Sequence, residues 1–218
     1  MALARTLSRL PCLLTVDIEG GFSEDPGEVA DLVAELAELG AVGVNIEDGR
    51  ADGALAPEDH LPRVIAAVKS RAPRVFVNAR TDTHWLAAGR TPDMAETLRR
   101  VRRYADAGAD GIFVPALSDK SGIAAVVEAA GAPVNVLFQP TGPDLRELAD
   151  LALREGNQHV PYFLVIDEIN RGNLAKVFGE LYFLLEYRDR SVNLLYGSDG
   201  GLGFTLPKNL VLLATMNT

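Results

Sequence analysis

The sequence predicts an α/β protein built on parallel βα repeats, in a sheet or a barrel, and three observations predict it. Short apolar, β-rich runs recur along the chain; Ala- and Leu-rich segments with helix start and stop signals fill the gaps; acidic residues collect just after the runs end. Repetition of that kind is the mark of a parallel sheet with crossover helices.

The strand runs are Leu13 to Ile18, Val42 to Ile46, Arg74 to Asn78, Gly111 to Val114 and Val134 to Phe138. Each reads as lacking polar alternation, as expected of strands buried on both faces. The first helix spans Pro26 to Leu39, opening after Ser23-Glu24-Asp25 and stopping at Gly40, with the start and stop residues where helix ends want them. Pro57 to Arg71, Thr91 to Ala107 (closed by Gly108) and Lys120 to Ala130 (closed by Gly131) repeat the pattern. A helical stretch from Leu145 to Arg154 leads through the polar break Glu155 to His159 to a further strand, Tyr162 to Ile166. Ser191 to Tyr196 and Gly203 to Leu206 read as a small β-hairpin, and Leu210 to Thr215 as a last strand.

Composition sets bounds. The 218 residues, 48% hydrophobic, suffice for one good core or two small ones. A net charge of -9 argues against a direct nucleic-acid face, because phosphate binding rests on clustered Lys and Arg. The basic run Arg99-Arg100-Val101-Arg102-Arg103 reads as a solvated helix face. The single cysteine, Cys12, excludes an intramolecular disulfide and a cysteine-rich metal cluster, and His60, His84 and His159 lack metal-ligand spacing. No run approaches the roughly 18 apolar residues of a membrane span, and Pro11, Asp17 and Glu19 break any signal-peptide pattern. A cytoplasmic chain with no membrane partner is the expectation.

Asp17 and Glu19, Glu47 and Asp48, and Arg80 and Asp82 all lie at or just after strand ends, where loops of βα proteins carry their chemistry. Any one such acid could simply cap the next helix. Acids after three successive strands would converge on one rim, and carboxylates crowded there call for a cation with hard-oxygen preference, Mg²⁺ or Mn²⁺. Arg80 supplies a planar fork for a carboxylate or phosphate. Trp85 and Met94 read as packing residues near it.

Taken together, Asp17-Ile18-Glu19-Gly20-Gly21-Phe22, Gly43 to Asp48, Asn78-Ala79-Arg80-Thr81-Asp82, Tyr104 to Gly111 and Pro133 to Val136 resemble the isocitrate lyase and phosphoenolpyruvate mutase superfamily over about residues 10–151. The resemblance implies a (β/α)8-type barrel, incomplete here with five strands legible, because a stretch supplying two earlier strands is absent. It implies a Mg²⁺-dependent lyase or hydrolase acting on a small 2-oxo acid through a metal-bound enolate. Asp17 would be the direct metal ligand, Glu19 and Glu47 would hold the ion directly or through waters, Arg80 would grip the oxo acid, and Asn135 would face the same pocket. The family's lyases carry a lid cysteine after the Glu-Asp pair; Gly49 to Leu55 has none, which argues against an isocitrate lyase reaction.

Residues 152–218 read differently. The strand Tyr162 to Ile166 ends in Asp167-Glu168, and an apolar strand closing on paired acids is a Walker B arrangement. Ile166 to Asn173, Phe178 to Leu181 and Asn209 to Thr218 resemble the AAA+ GTPase subunit of McrB-type restriction systems, which implies Asp167 and Glu168 as Walker B acids and Asn217 as the sensor residue. None of Lys69, Lys120, Lys176 or Lys208 follows a glycine, so no phosphate-cradling loop is present. GTP or ATP would bind only if a partner supplied that loop. The expected division is thus 1–151, a barrel fragment, and 152–218, an AAA+ type fragment with appended strands. The expected partners are a 2-oxo acid, a second copy of the chain or an AAA+ protein. The alternatives to the lyase or hydrolase are a nucleotide-binding restriction fragment and a chimeric scaffold without activity.

Overall fold

The structure is a computed structural model, and it describes residues 4, 13–87, 91–135, 137, 149–150, 152–154, 162–166, 181–192 and 203–214. The chain divides into two compact units, Met1–Leu137 and Phe138–Thr218.

In the first unit β1 (Leu14–Asp17), α1 (Pro26–Glu38), β2 (Ala41–Glu47), α2 (His60–Arg71), β3 (Phe76–Arg80), α3 (Met94–Asp106), β4 (Gly111–Phe113), α4 (Lys120–Ala130) and β5 (Val134–Asn135) alternate. The strands pair in parallel in the order β1-β2-β3-β4-β5. Sequential order distinguishes the architecture. Right-handed crossovers between neighbouring strands put every helix on one face of the sheet, whereas a doubly wound sheet reverses its order and has helices on both. One core confirms the single covered face: Val29 and Val33 of α1, Val64 and Ile65 of α2, Val101 of α3 and Val126 of α4 join Val44, Ile46, Val77, Ala79 and Ile112 of the sheet. The unit is therefore an arc of barrel-type βα structure. Among the described residues the arc does not close, and β1 and β5 are its edges.

The expectation of strands apolar on both sides is corrected here. Residues alternate, with Val44, Ile46, Val77 and Ala79 toward the helices and Asn45, Glu47, Asn78 and Arg80 on the other face, because a strand's period of two sends neighbours to opposite sides.

Helix ends follow their chemistry. Asp25, Asp93 and Asp119 each accept a backbone N–H of the first turn they precede, so α3 starts at Met94 and not at Thr91. α2 likewise opens at His60, after a turn in which the His60 N–H donates to the Pro57 carbonyl. Gly40, Gly108 and Gly131 all take positive φ just past a helix, as the left-handed stop requires. On α3 the buried stripe is Thr97, Arg100, Val101 and Tyr104, spaced i, i+3, i+4, i+7. Two of the four are polar and one is a phenol, so the inward face of α3 carries hydrogen-bonding groups into the protein.

The second unit contains β6 (Tyr162–Ile166), α5 (Leu181–Glu186) and β7 (Leu210–Ala214). β6 and β7 pair with each other in parallel, in a sheet of their own. Ala149, Leu184, Phe204, Leu206 and Leu210 form a small core, and Arg188 Nη1 donates to the carbonyls of Pro207 and Leu210. Of the expected hairpin, the described residues hold one antiparallel bridge, Val192 with Phe204. No described helix is long and apolar enough to cross a membrane.

Candidate functional site

Register places the polar residues in two rows across the face away from the helices. Asp17, Asn45, Asn78 and Gly111 are partners in one row, and Glu47, Arg80, Phe113 and Asn135 in the next, at the carboxyl ends. All five expected residues of this unit thus lie at one end of one sheet, on its uncovered face or in the turn beside it.

The turn after β1 is tightly set. The Glu19 N–H donates to Asp17 Oδ1 at 2.9 Å, and the Glu47 N–H donates to the Glu19 carbonyl at 2.9 Å. Glu19 (φ 48°), Phe22 (φ 59°) and, after β4, Ala116 (φ 66°) occupy the left-handed region. Non-glycine residues there cost on the order of 1 kcal/mol or more, and such strain gathers at binding sites. All three are on carboxyl-end loops.

Arg80 is the centre of the site. Its Nε donates to Asp82 Oδ1 at 2.6 Å and its Nη1 lies 3.1 Å from Glu47 Oε2. Its guanidinium stands over two rings, 5.9 Å from the centroid of Trp85 and 5.7 Å from that of Phe113, within cation–π range. Neither ion pair uses Nη2, which leaves one edge of the fork for an anion. Gly49 is needed beside this clamp: a Cβ on it would run into the Asp82 carboxylate.

Asp48 does not join the rim of acids. It is 1% exposed and faces the core, where its carboxylate accepts from Thr81 Oγ1 (2.8 Å), the Asp82 N–H (2.8 Å), Arg100 Nη1 (3.2 Å) and Tyr104 Oη (2.5 Å). Arg100 also donates to the Ala56 carbonyl and to Glu96. The basic run is thus not uniformly solvated: Arg100 falls on the buried stripe of α3. Burial and the adjacent carboxylate push the Tyr104 phenol far above its ordinary range, so it stays a donor. The network ties α3 to the ends of β2 and β3, and through Asp82 to Arg80.

Asn135 meets the site through a chain of amides. Its Nδ2 donates to Asn78 Oδ1 at 2.6 Å, and Asn78 Nδ2 donates to Asn45 Oδ1 at 2.9 Å. Glycine at 111 leaves that chain its room, since a Cβ there would sit 2.9 Å from Asn78 Oδ1. From sequence alone Asn45, Asn78, Phe113 and Tyr104 have no site role, Trp85 reads as a packing residue near Arg80, and Arg100 reads as part of a solvated basic face; the i, i+2 spacing of Asn45 with Glu47 and Asn78 with Arg80 was the available signal for the first two.

The electrostatics suit a cation. Burial pushes the Glu47 carboxyl above its ordinary value, Arg80 opposes this, and the charges of Asp82, Asp17 and Glu19 raise it further. Asp82 is raised as well, by burial first and against the pull of Arg80. Among the described residues no three His, Cys, Asp or Glu side chains stand close enough to hold an ion unaided. The donors are all carboxylate oxygens, which fits an ion that keeps most of its waters, as Mg²⁺ does. Asp167, Glu168 and Asn217 lie outside the described residues.

His84, beside this site, carries a buried Nε2 with no hydrogen-bond partner. Desolvation lowers its pKa from 6.5, with Asp119 opposing. A base with a lowered folded pKa stabilises the fold above its unfolded value and loses that contribution as pH falls through and below it. Between pH 7.5 and 5 the parent chain should therefore lose more thermal stability than His84→Gln. Parallel losses in the two proteins would show that His84 takes up its proton as readily in the fold as in the unfolded chain.

A parallel βα arc thus gathers Asp17, Glu19, Glu47 and a clamped Arg80 at the carboxyl ends of its strands. The chain belongs to the phosphoenolpyruvate phosphomutase family, which matches residues 1–155, within the phosphoenolpyruvate mutase and isocitrate lyase superfamily. It is 42% identical over 164 residues to an uncharacterised protein of Mycobacterium tuberculosis, covering 74% of this chain and 60% of that one. A probable 2-methylisocitrate lyase of Corynebacterium glutamicum is 36% identical over 129 residues, 54% of this chain and 40% of its own. The crystal structure of a putative phosphonomutase from Burkholderia cenocepacia J2315 superposes with a TM-score of 0.62 at 39% identity, covering 68% of this chain and 64% of that one. Separately, 61 residues, 26% of this chain, are 44% identical to the type IV methyl-directed restriction enzyme McrB subunit of Escherichia coli K12, of which they cover 13%. The chain thus spans less than two thirds of each of these relatives.

Proposed function

We propose that the first unit holds a Mg²⁺-dependent site for a small 2-oxo acid, the site of a lyase or hydrolase that works next to the acid's carbonyl. The observation that carries this reading is Arg80, fixed by Glu47 and Asp82 with Nη2 left over, at the strand ends where Asp17 and Glu19 also stand. Arg80 binds and orients the substrate carboxylate. Asp17, steadied by the Glu19 N–H, would hold the metal directly, with Glu19 and Glu47 holding it through waters. Once bound, the metal supplies a Lewis acid that draws charge onto the substrate oxygens. The Asn45, Asn78 and Asn135 amides form the polar floor.

The test is a calorimetric titration with oxalate, a planar dianion with the oxygen pattern of the substrate, in Mg²⁺ and again in excess chelator. Saturable binding that needs Mg²⁺ and is lost in Asp17→Ala is expected. A folded chain that binds no oxalate in Mg²⁺ would overturn the proposal.

A second reading applies to residues 152–218. The parallel pairing of β6 with β7 and the short McrB match support a fragment of AAA+ type, which would take GTP or ATP only with a phosphate loop supplied by another AAA+ chain.

A further inference from the structure

The chain has one tryptophan, Trp85, and it stands where a packing residue would not. It is 55% exposed, in a single 3-10 turn after β3, yet its ring lies 5.9 Å from the guanidinium carbon of the site's arginine. Phe113, the register partner of Arg80 on β4, brings a second ring to 5.7 Å. Phe22, 72% exposed and held at positive φ, adds an aromatic to the loop after β1. Large apolar surface left in water on the loops that carry the chemistry is surface a ligand can cover. Glu47 and Asp82 take Nη1 and Nε of Arg80, so an incoming carboxylate is left Nη2, on the guanidinium over which the Trp85 and Phe113 rings stand.

We infer that Trp85 and Phe113 are specificity-determining residues that select a 2-oxo acid with apolar substituents on the carbon next to the carbonyl, over pyruvate. The inference rests on the 2-oxo acid reading above. Arg80 sets the affinity for the carboxylate that all such acids share, and the rings discriminate by what the acid carries beyond it. Two extra methyl groups buried against them favour the branched acid by about tenfold.

The test uses 3-methyl-2-oxobutanoate and pyruvate, with oxalate as the reference, all in Mg²⁺. Binding is followed by calorimetry and by the emission of Trp85, which reports on the site directly because no other tryptophan is present. The branched acid should bind about tenfold more tightly than pyruvate and shift the emission. The ratio should fall to near one in Trp85→Ala and return in Trp85→Leu, which keeps an apolar wall; being a ratio, it cancels any general loosening of Arg80. Oxalate binding with a ratio near one in the parent chain, or a ratio that survives Trp85→Ala, would overturn the inference and leave the 2-oxo acid reading standing. Absence of binding by all three acids would remove both.

Discussion

Asp48→Ala should lower the unfolding free energy by about 3–5 kcal/mol, the range for removing one partner from a buried charged network. The change strips the Thr81 hydroxyl, the Asp82 N–H, Arg100 Nη1 and the Tyr104 phenol of a shared acceptor, and none of them reaches water easily. Arg100 keeps Glu96 and the Ala56 carbonyl, which prevents a larger loss. Tyr104→Phe removes one donor and leaves the carboxylate three, so it should cost only about 1 kcal/mol. Urea denaturation with unchanged slope measures both. An Asp48→Ala chain within 1 kcal/mol of the parent would mean that the carboxylate is not the hub described.

Arg80→Ala should weaken oxalate binding in Mg²⁺ by about 10- to 100-fold, the equivalent of one hydrogen bond to a charged group. Arg80→Lys should recover little of it, since an ammonium has neither the planar fork nor the flat face that meets Trp85 and Phe113. Unchanged affinity in Arg80→Ala would place the anion elsewhere. The two substitutions separate the roles of neighbouring parts: Asp48 acts on the fold, and Arg80 acts on the ligand.

The repeat architecture was legible because each element carries its own punctuation. Asp25 with Pro26 opens a helix, Gly40, Gly108 and Gly131 close three, and the apolar runs between them became the strands. That Arg80, Glu47 and Asp17 would share one end of the sheet was legible because each stands where an apolar run ends. What the sequence concealed depends on direction. Glu47 and Asp48 are adjacent, yet Glu47, the last residue of β2, turns to Arg80 on the uncovered face while Asp48, just past the strand, turns to the core. Seeing that needs the register, not the composition. Arg100 hid in the same way inside a basic run, because only the phase of α3 distinguishes it from Arg99 and Arg102. Trp85 sits in a turn with no period to reveal which neighbour its ring meets.

The amide chain from Asn45 through Asn78 to Asn135 works as a key cut to fit one lock during folding. Parallel strands can pair one residue out of step, and a slip of that size between β2 and β3 would turn both asparagines' partners to the wrong side. The same slip would turn Val77 and Ala79 out of the core, so the apolar face specifies this register too. The amides are not interchangeable: they meet in one alignment, and the bare α-carbon of Gly111 is the notch through which the key turns. A slip between β2 and β3 forfeits the Asn78–Asn45 bond, and one between β3 and the strands beyond it forfeits the Asn135–Asn78 bond, so each amide guards a different pairing before any ligand arrives.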